Sequence, residues 1–138
     1  MDGCMFCEIG VGLRPAPVVL QTGSVTAFLD HIPLFFGHTL LVPRVHVATL
    51  EDLPTELVEP FFTAASRIAR AVRVATGAQG TFVAINNTVS QSVPHLHAHI
   101  VPRTKGDGLR GFFWPRTHYR DDDHREEVRA AIAAALAS

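Results

Sequence analysis

Three histidines recur at every second position in the last third of the chain. They are His95, His97 and His99, separated by Leu96 and Ala98. Side chains of a β-strand alternate between its two faces, so a strand here would place the three imidazoles on one face, about 6–7 Å apart, and the apolar residues on the other. Such a strand would line a polar surface or cleft with imidazoles while its other face packs in the core.

The histidine run fits phosphoryl chemistry. A neutral imidazole can attack phosphorus and form a covalent phosphohistidine, while a neighbouring imidazole transfers protons near neutral pH. Gln91 and Ser92, just before the run, could donate hydrogen bonds to the non-bridging oxygens of a phosphate. The residues alone leave two alternatives open: a metal site made by the three histidines, and half-exposed polar residues at a strand edge.

The two cysteines of the chain, Cys4 and Cys7, form a C-x-x-C pair. Two cysteines exclude a disulfide-rich secreted framework. Their spacing fits a redox pair, half of a zinc site, or two incidental small residues. A thioredoxin-like pair follows a strand, and no strand is expected before Cys4, so the redox alternative is disfavoured.

Length and composition predict one globular domain. The chain has 138 residues, of which 47% are hydrophobic and 18% are charged. Twelve basic and thirteen acidic residues give a net charge of −1, which disfavours nucleic acid and anionic membranes as partners. The first residues lack the features of a signal peptide, and no apolar run approaches the roughly 18 residues of a membrane span, so we expect a cytoplasmic protein.

Five short strands are predicted to position the chemical residues. They lie at 18–20, 24–29, 39–42, 81–85 and 95–101. The cysteine pair is expected in a loop over 1–14. Short strands interrupted by one long helix indicate an α+β domain built on an antiparallel sheet.

Two helices are predicted beside the strands. Apolar residues spaced three and four apart predict a long helix over 57–72. Asp52 or Thr55 could cap its beginning, and Gly77 could end it. An alanine-rich helix over 128–137 follows a run of three aspartates that could cap it.

Three separated motifs occur in a recognisable order. They are C-x-F-C-x-I at 4–9, A-F-L-D-x-x-P-x-x-x-G-H-T-L-L-V-P-R-x-H at 27–46 and H-L-H-A-H-I-V at 95–101, the last flanked by Q-S-V and P-R. With these motifs the chain resembles the histidine triad (HIT) family of nucleotide-binding proteins over about residues 4–103. The resemblance implies a HIT-like fold in a single domain over 1–138, with a zinc-binding N-terminal loop at 1–14 and a variable tail at 104–138.

The resemblance implies a catalytic role for five residues. His97, the middle histidine of the triad, would be the nucleophile, and His99 would bind the phosphate. His38 would support the site. Gln91 and Ser92 would contact the leaving group and the phosphate oxygens, so that these two and His99 would also bind the nucleotide.

Further nucleotide contacts are implied by the same resemblance. Asp30 would hold the ribose hydroxyls, and Ile32 would lie in the apolar pocket for the base. Asn86 stands where the family places an asparagine near the phosphate. The loop over 86–94 is about two residues shorter than usual.

The resemblance also completes the metal site. In the branch of the family that this chain resembles, the C-x-x-C pair binds zinc together with two histidines, which are His46 and His95 here. The implied site, Cys4, Cys7, His46 and His95, would be structural, because four protein ligands saturate a tetrahedral ion.

The function implied is a hydrolase that removes a nucleoside 5′-monophosphate, with AMP favoured, from a phosphoramidate, ester or anhydride through a covalent nucleotidyl-histidine. A dinucleoside polyphosphate hydrolase or phosphorylase is one alternative, and a non-catalytic nucleotide-binding or partner-regulating protein is another. Members of the family are typically homodimers. The aromatic residues at 112–114 could close over a base, reach a partner subunit, or pack on the core.

Overall fold

A computed structural model describes residues 3–109 and 116–138. Its strands are β1 (Val18–Gln21), β2 (Val25–Leu29), β3 (Thr39–Pro43), β4 (Gly80–Ile85) and β5 (Ala98–Arg103). Its helices are α1 (Met5–Gly10), α2 (Thr55–Thr76) and α3 (Asp122–Ala137), with a 3-10 helix at Leu50–Asp52. The strands form one antiparallel sheet in the order β1-β2-β3-β5-β4. The predicted α+β class and antiparallel sheet are confirmed.

Helix α2 buries one apolar side against the sheet. Its buried residues are Phe61, Ala64, Ala65, Ile68 and Val72, at the predicted spacing of three and four. They share a hydrophobic cluster with Leu41 of β3 and with Ile100 of β5. This packing fixes β5, which contains His99, and β3, its neighbour in the sheet.

The ends of α2 test three predicted caps. The helix begins after Pro54, so the predictions of Asp52 and Thr55 as caps are wrong. The Asp52 carboxylate instead accepts bonds from the backbone and the hydroxyl of Thr49, at 3.1 and 2.7 Å, and closes the 3-10 helix. Gly77 is confirmed as the end of the helix, in the left-handed conformation with φ 71°.

The strand predicted over 95–101 begins three residues later, as β5. Before that point the backbone leaves the sheet, because the amide of Leu96 donates to the carbonyl oxygen of Val47 at 2.7 Å. The ring of His95 takes a place beside Pro43, where its Nε2 bonds the carbonyl oxygen at 2.9 Å. Strand alternation therefore does not place the first two histidines of the run, and the expectation of one shared strand face is wrong for them.

The loop predicted over 1–14 is wrong in its centre, which forms α1. Phe6 and Ile9 lie three residues apart, so a helix buries both on the same side, in one cluster with sheet residues. Cys4 caps this helix and Cys7 follows one turn later. One helical turn therefore brings the two sulfur atoms onto neighbouring positions.

The C-terminal part of the chain forms a second compact unit, which begins at Gly108. It contains α3, six residues longer at its start than predicted, and Asp121 caps this helix by accepting a 2.7 Å bond from the amide of His124. The aromatic residues at 112–114 lie outside the described residues. Within the described residues, none of the helices has the length and apolar character needed to cross a bilayer.

Candidate active site and metal centre

Two cysteines and two histidines converge where α1 meets the loops after β3 and before β5. One ligand atom from each of Cys4, Cys7, His46 and His95 lies within 4.8 Å of the others. Cys4 Sγ is 3.4 Å from His95 Nδ1, and Cys7 Sγ is 3.3 Å from His46 Nδ1. Tetrahedral zinc, with Zn–S about 2.3 Å and Zn–N about 2.05 Å, sets an S···N separation of about 3.6 Å. The spacing and chemistry of this cluster fit a zinc ion.

The hydrogen bonding of His95 leaves the correct nitrogen for a metal. Its Nε2–H donates to the carbonyl oxygen of Pro43, so the lone pair is on Nδ1, which faces the two sulfur atoms. The ring is fully buried, and burial lowers the pKa of His95, so the imidazole is neutral. A neutral imidazole is the form that binds metal ions.

The backbone of the same histidine orients the next one. His97 Nδ1 donates to the carbonyl oxygen of His95 at 2.7 Å. With its proton fixed on Nδ1, a neutral His97 keeps its lone pair on Nε2. The residue is 3% exposed and lines a cavity. The side chain of His95 therefore belongs to the metal cluster, and the carbonyl group of the same residue orients His97.

A chain of hydrogen bonds fixes the tautomer of the last histidine of the run. The amide of Leu34 donates to His38 Nδ1 at 3.1 Å, so the proton of a neutral His38 is on Nε2. His38 Nε2 lies 3.0 Å from His99 Nδ1 and donates to it. The proton of a neutral His99 is consequently on its Nε2. His97 and His99 thus have opposite tautomers, with an acceptor at Nε2 of one and a donor at Nε2 of the other.

The electrostatics of the site keep this chain neutral. Burial, followed by the nearby His97 and His38, lowers the pKa of His99 to about 4. Burial also lowers the pKa of His38, against the opposing effect of the Asp30 carboxylate, whose Oδ2 lies 3.6 Å from its Nε2. Asp30, His38 and His99 are close enough to suggest a second metal cluster. The amide of Leu34 donates to Nδ1 of His38, however, so the proton of this ring is on Nε2, which is the nitrogen nearest to Asp30 and the one that would bind the ion.

A cavity of about 580 Å³ opens beside the two histidines. Its polar lining consists of Asp30, His97, His99, Ser92, His31 and Arg14, and its apolar lining includes Phe6, Ile9, Phe28 and Leu40. The volume is within the usual range for a small-molecule site, and the wall is mainly apolar with a few polar groups. The cavity can therefore hold a flat apolar ring system together with a charged group at the histidines.

The residues predicted around the phosphate lie in different environments. Ser92 lines the cavity. Gln91 is bound to the backbone of its surroundings: its Nε2 donates to the carbonyl oxygen of Ala48 at 2.6 Å, and its Oε1 accepts from the amide of Thr88 at 2.9 Å. In the described structure Gln91 fixes the loop that presents Ser92.

Two predicted nucleotide contacts lie away from the cavity lining. The side chain of Ile32 is 75% exposed, and its amide donates to Asp30 Oδ1 at 3.0 Å. Asn86 is exposed as well. The neighbouring Asn87 bonds the amide of Leu50 at 2.8 Å and so ties the loop after β4 to the 3-10 helix.

Phe6 has a place in the site that was not predicted. Its ring contacts His97 edge to face, with centroids 5.1 Å apart, and its centroid is 6.0 Å from that of His95. It lines the cavity and contacts both His95 of the metal cluster and the nucleophile candidate His97. In the sequence, the position of Phe6 between the two cysteines was the feature that could have indicated a place in the site.

The family model of the HIT domain matches residues 12–106. The chain belongs to the HIT family. Protein hit of Bacillus subtilis is 38% identical to it over 144 residues, covering 99% of this chain and 97% of that protein. A HIT family protein of Bacillus subtilis, in a crystal structure, covers 99% of both chains at 34% identity with a TM-score of 0.90.

Other relatives of this HIT protein carry more specific names. Adenosine 5′-monophosphoramidase HNT1 of Saccharomyces cerevisiae is 32% identical over 81% of this chain and 70% of that protein. Adenylylsulfatase HINT3 of Arabidopsis thaliana is 33% identical over 78% of this chain and 56% of that protein. A zinc-bound histidine triad family protein of Mycobacterium smegmatis matches 98% of this chain and 96% of that chain at 36% identity, with a TM-score of 0.73.

Proposed function

We propose that this HIT protein hydrolyses a bond between a nucleoside 5′-monophosphate and a leaving group held as a phosphoramidate, ester or anhydride. One observation carries the proposal: His97 and His99 have opposite tautomers beside one cavity. A lone pair and an N–H donor at adjacent Nε2 atoms are what nucleophilic attack on phosphorus requires. The two relatives named as a phosphoramidase and an adenylylsulfatase support the same class of reaction and favour AMP as the nucleotide.

The reaction would proceed in two displacements at phosphorus. His97 Nε2 attacks in line, a P–N bond forms, the bond to the leaving group breaks, and the leaving group takes a proton from solvent. Water then attacks the phosphorus, the P–N bond breaks, and the nucleoside monophosphate and neutral His97 are released while the proton of the water returns to solvent. His99 Nε2–H donates to a non-bridging oxygen throughout, and its low pKa keeps the ring neutral at pH 7.

Several residues would bind the nucleotide. The Asp30 carboxylate lines the cavity and can accept hydrogen bonds from ribose hydroxyls, and Ser92 can donate to the phosphate. Phe6 and Phe28 offer aromatic surface to the base. Gln91 can contact the leaving group only if it exchanges its bonds to Ala48 and Thr88.

Ile32 and Asn86 can contribute only after loop movement. Ile32 is exposed and is not among the residues that line the cavity, and Asn86 is exposed at the end of β4. We retain both as proposed nucleotide contacts, which a structure with bound AMP would test.

We further propose that the metal is zinc and that its role is structural. The chain supplies the four ligands Cys4, Cys7, His46 and His95. When bound, zinc would link α1 to two loops of the sheet and contribute folding free energy. Because the carbonyl group of His95 orients His97, metal binding would also stabilise the nucleophile in its reactive position.

We also propose a cytoplasmic homodimer. Strand β4 is at the edge of the sheet, and Val58 and Phe62 of α2 are 41% and 43% exposed, so both elements offer surface to a second copy. Sedimentation equilibrium would give twice the mass of the chain if this proposal is correct and the mass of one chain if it is wrong.

The experiment that tests the function measures AMP release from adenosine 5′-phosphoramidate. We expect turnover by the wild-type protein and a loss of at least about 10³-fold in His97→Ala, because no other group replaces the nucleophile. His118→Ala is the matched control, since His118 is an exposed histidine of the second unit and should be fully active when replaced. Equal activity of His97→Ala and the wild type would overturn the proposal.

A further inference from the structure

We infer that Asn87 is a positioning residue for Ser92, because it holds a strained loop in the conformation that brings Ser92 to the cavity. The inference rests on the proposed function, in which the Ser92 hydroxyl donates to the phosphate. It adds to that function a residue that is not among those lining the cavity.

The loop before Ser92 contains two left-handed residues that are not glycine. Thr88 has φ 70° and Ser90 has φ 62°, and these two are the positive-φ residues other than glycine in the described part of the chain. The left-handed conformation reduces the population of a residue with a Cβ by about five- to thirtyfold, and a β-branched threonine is especially unfavourable there. Such residues persist where their surroundings hold them, and they concentrate at functional sites.

Two side-chain amides, rather than packing, hold this loop. Residues 86–90 are all exposed, so buried contacts do not fix their backbone. The amide of Leu50 donates to Asn87 Oδ1 at 2.8 Å, on one side of the left-handed pair. On the other side, Gln91 Nε2 donates to the carbonyl oxygen of Ala48 at 2.6 Å. The two amides therefore fasten the loop to one strip of backbone at both of its ends.

This strip of backbone is itself held by the core. Val47 and Leu50 are partly buried and pack against the main hydrophobic cluster. The carbonyl oxygen of Val47 also accepts a 2.7 Å bond from the amide of Leu96, which is fully buried. Asn87 and Gln91 thus fix the loop to a part of the chain whose place the core determines.

The balance between strain and hydrogen bonding makes the bond to Asn87 decisive. One hydrogen bond favours a conformation by about two- to tenfold, and the strain at Thr88 alone opposes it by a similar factor. Without the bond from Leu50, Thr88 and Ser90 can relax to negative φ. A change of φ at Ser90 moves Ser92, two residues further along, out of the cavity wall.

The test uses three variants of the same loop. Asn87→Leu has a similar shape but no oxygen to accept from Leu50, whereas Asn87→Asp keeps an oxygen at that position. Val89→Ala is the matched control, because Val89 lies at the tip of the loop with 79% of its surface exposed.

The conformation of the loop is measured by NMR in the free protein. Positive φ brings the amide proton and the Hα of one residue close together, so Thr88 and Ser90 should each show a strong intraresidue NOE. The NOE should be strong in the wild type, Asn87→Asp and Val89→Ala, and weak in Asn87→Leu. Strong NOEs at both residues in Asn87→Leu would overturn the inference.

The effect on the site is measured as kcat/KM for adenosine 5′-phosphoramidate. Asn87→Leu should lower it by about fivefold, while Asn87→Asp and Val89→Ala should match the wild type. The urea unfolding of Asn87→Leu should change little, because the relief of strain offsets the lost bond. A residue that only stabilised the fold would show the opposite pattern.

A double-mutant cycle tests whether Asn87 acts through Ser92. In a Ser92→Ala background, Asn87→Leu should have no further effect on kcat/KM, because there is no hydroxyl left to position. The same fivefold loss in that background, or wild-type kcat/KM in Asn87→Leu alone, would overturn the inference. If the wild type does not hydrolyse the substrate, the proposed function fails. The NOEs then still decide whether Asn87 holds the loop, and the Kd of AMP for the wild type and Asn87→Leu decides whether the held loop serves binding.

Discussion

The hydrogen-bond chain from Leu34 through His38 to His99 predicts that two substitutions at one position will differ. In His38→Asn, the amide oxygen can take the place of Nδ1 and accept from Leu34, but the side chain is too short to reach His99. In His38→Gln, the amide nitrogen can take the place of Nε2 and donate to His99 Nδ1. Comparing these two variants distinguishes the bond from His38 to the loop at Leu34 from the effect of His38 on the tautomer of His99.

The size of the difference follows from the bond that is lost. The 3.0 Å contact between His38 and His99 is partly buried, with His38 itself 3% exposed, and the loss of such a bond costs about 1.5–3 kcal/mol. If this free energy stabilises the reactive tautomer in the transition state, kcat falls by about 10- to 150-fold in His38→Asn. His38→Gln should retain activity within about fivefold of the wild type.

The assay is the initial rate of AMP release from adenosine 5′-phosphoramidate at saturating substrate, with urea unfolding of each variant as the control for stability. Both variants lose packing, so both should unfold at lower urea concentrations than the wild type. Equal kcat in the two variants, at similar stability, would refute the argument that His38 acts through the tautomer of His99.

Three further predictions concern the fold, the metal and the pH dependence. Gly37→Ala should lower the unfolding free energy, measured by urea titration, by about 2 kcal/mol. Gly37 has φ 104°, and a Cβ there would lie 2.7 Å from Thr76 Cγ2. Gly23→Ala is the control and should be nearly neutral, because a Cβ at Gly23 meets nothing within 4 Å. Chelation should remove one zinc ion per chain, measured by elemental analysis, and lower the unfolding free energy by several kcal/mol. Activity should be lost only as the protein unfolds. Immediate loss of activity from a fully folded protein would contradict a structural role for the metal. His99 should contribute about 3 kcal/mol to a fall in the unfolding free energy as the pH drops from about 6.5 to about 4, because the unfolded chain takes up the proton of His99 first. The lowered pKa values of His38 and His95 add to the same fall. His99→Gln should make the decrease smaller, and an unchanged slope would contradict the low pKa of His99.

Much of the fold could be predicted because its elements have strong local signals. The apolar spacing over 57–72 is helical in both the sequence and the structure, and Gly77 ends the helix as its conformational freedom suggests. The caps at Asp52 and Thr55 were less predictable. Pro54 sets the start of the helix, and the Asp52 carboxylate is more favourably bound within the 3-10 helix.

The histidine run shows what spacing alone cannot establish. Alternation suggested one strand face, whereas the structure holds His95 by a buried bond to Pro43 and begins the strand only after His97. The tautomers of His97 and His99 depend on a backbone carbonyl and on the amide of Leu34, which is distant in the sequence from the histidine run. Such contacts become visible only when the loops are in place.

The cysteine pair illustrates a similar limit. C-x-x-C is ambiguous by itself, and its meaning depends on His46 and His95, which lie 39 and 88 positions from Cys7. The family resemblance suggested these two ligands, and the fold brings their nitrogen atoms to the sulfur atoms. Zinc itself remains a prediction.

The measurement that tests the central claim most directly is the intact mass of the protein, quenched in acid-free denaturant at early times after mixing with adenosine 5′-phosphoramidate. Acid is avoided because the P–N bond of a phosphohistidine is labile. We predict a transient species heavier by one adenylyl group, localised to His97 by peptide mapping, present in the wild type and missing in His97→Ala. Release of AMP at the full wild-type rate with no adduct at any time, or an adduct on another residue, would contradict the assignment of His97 as the nucleophile.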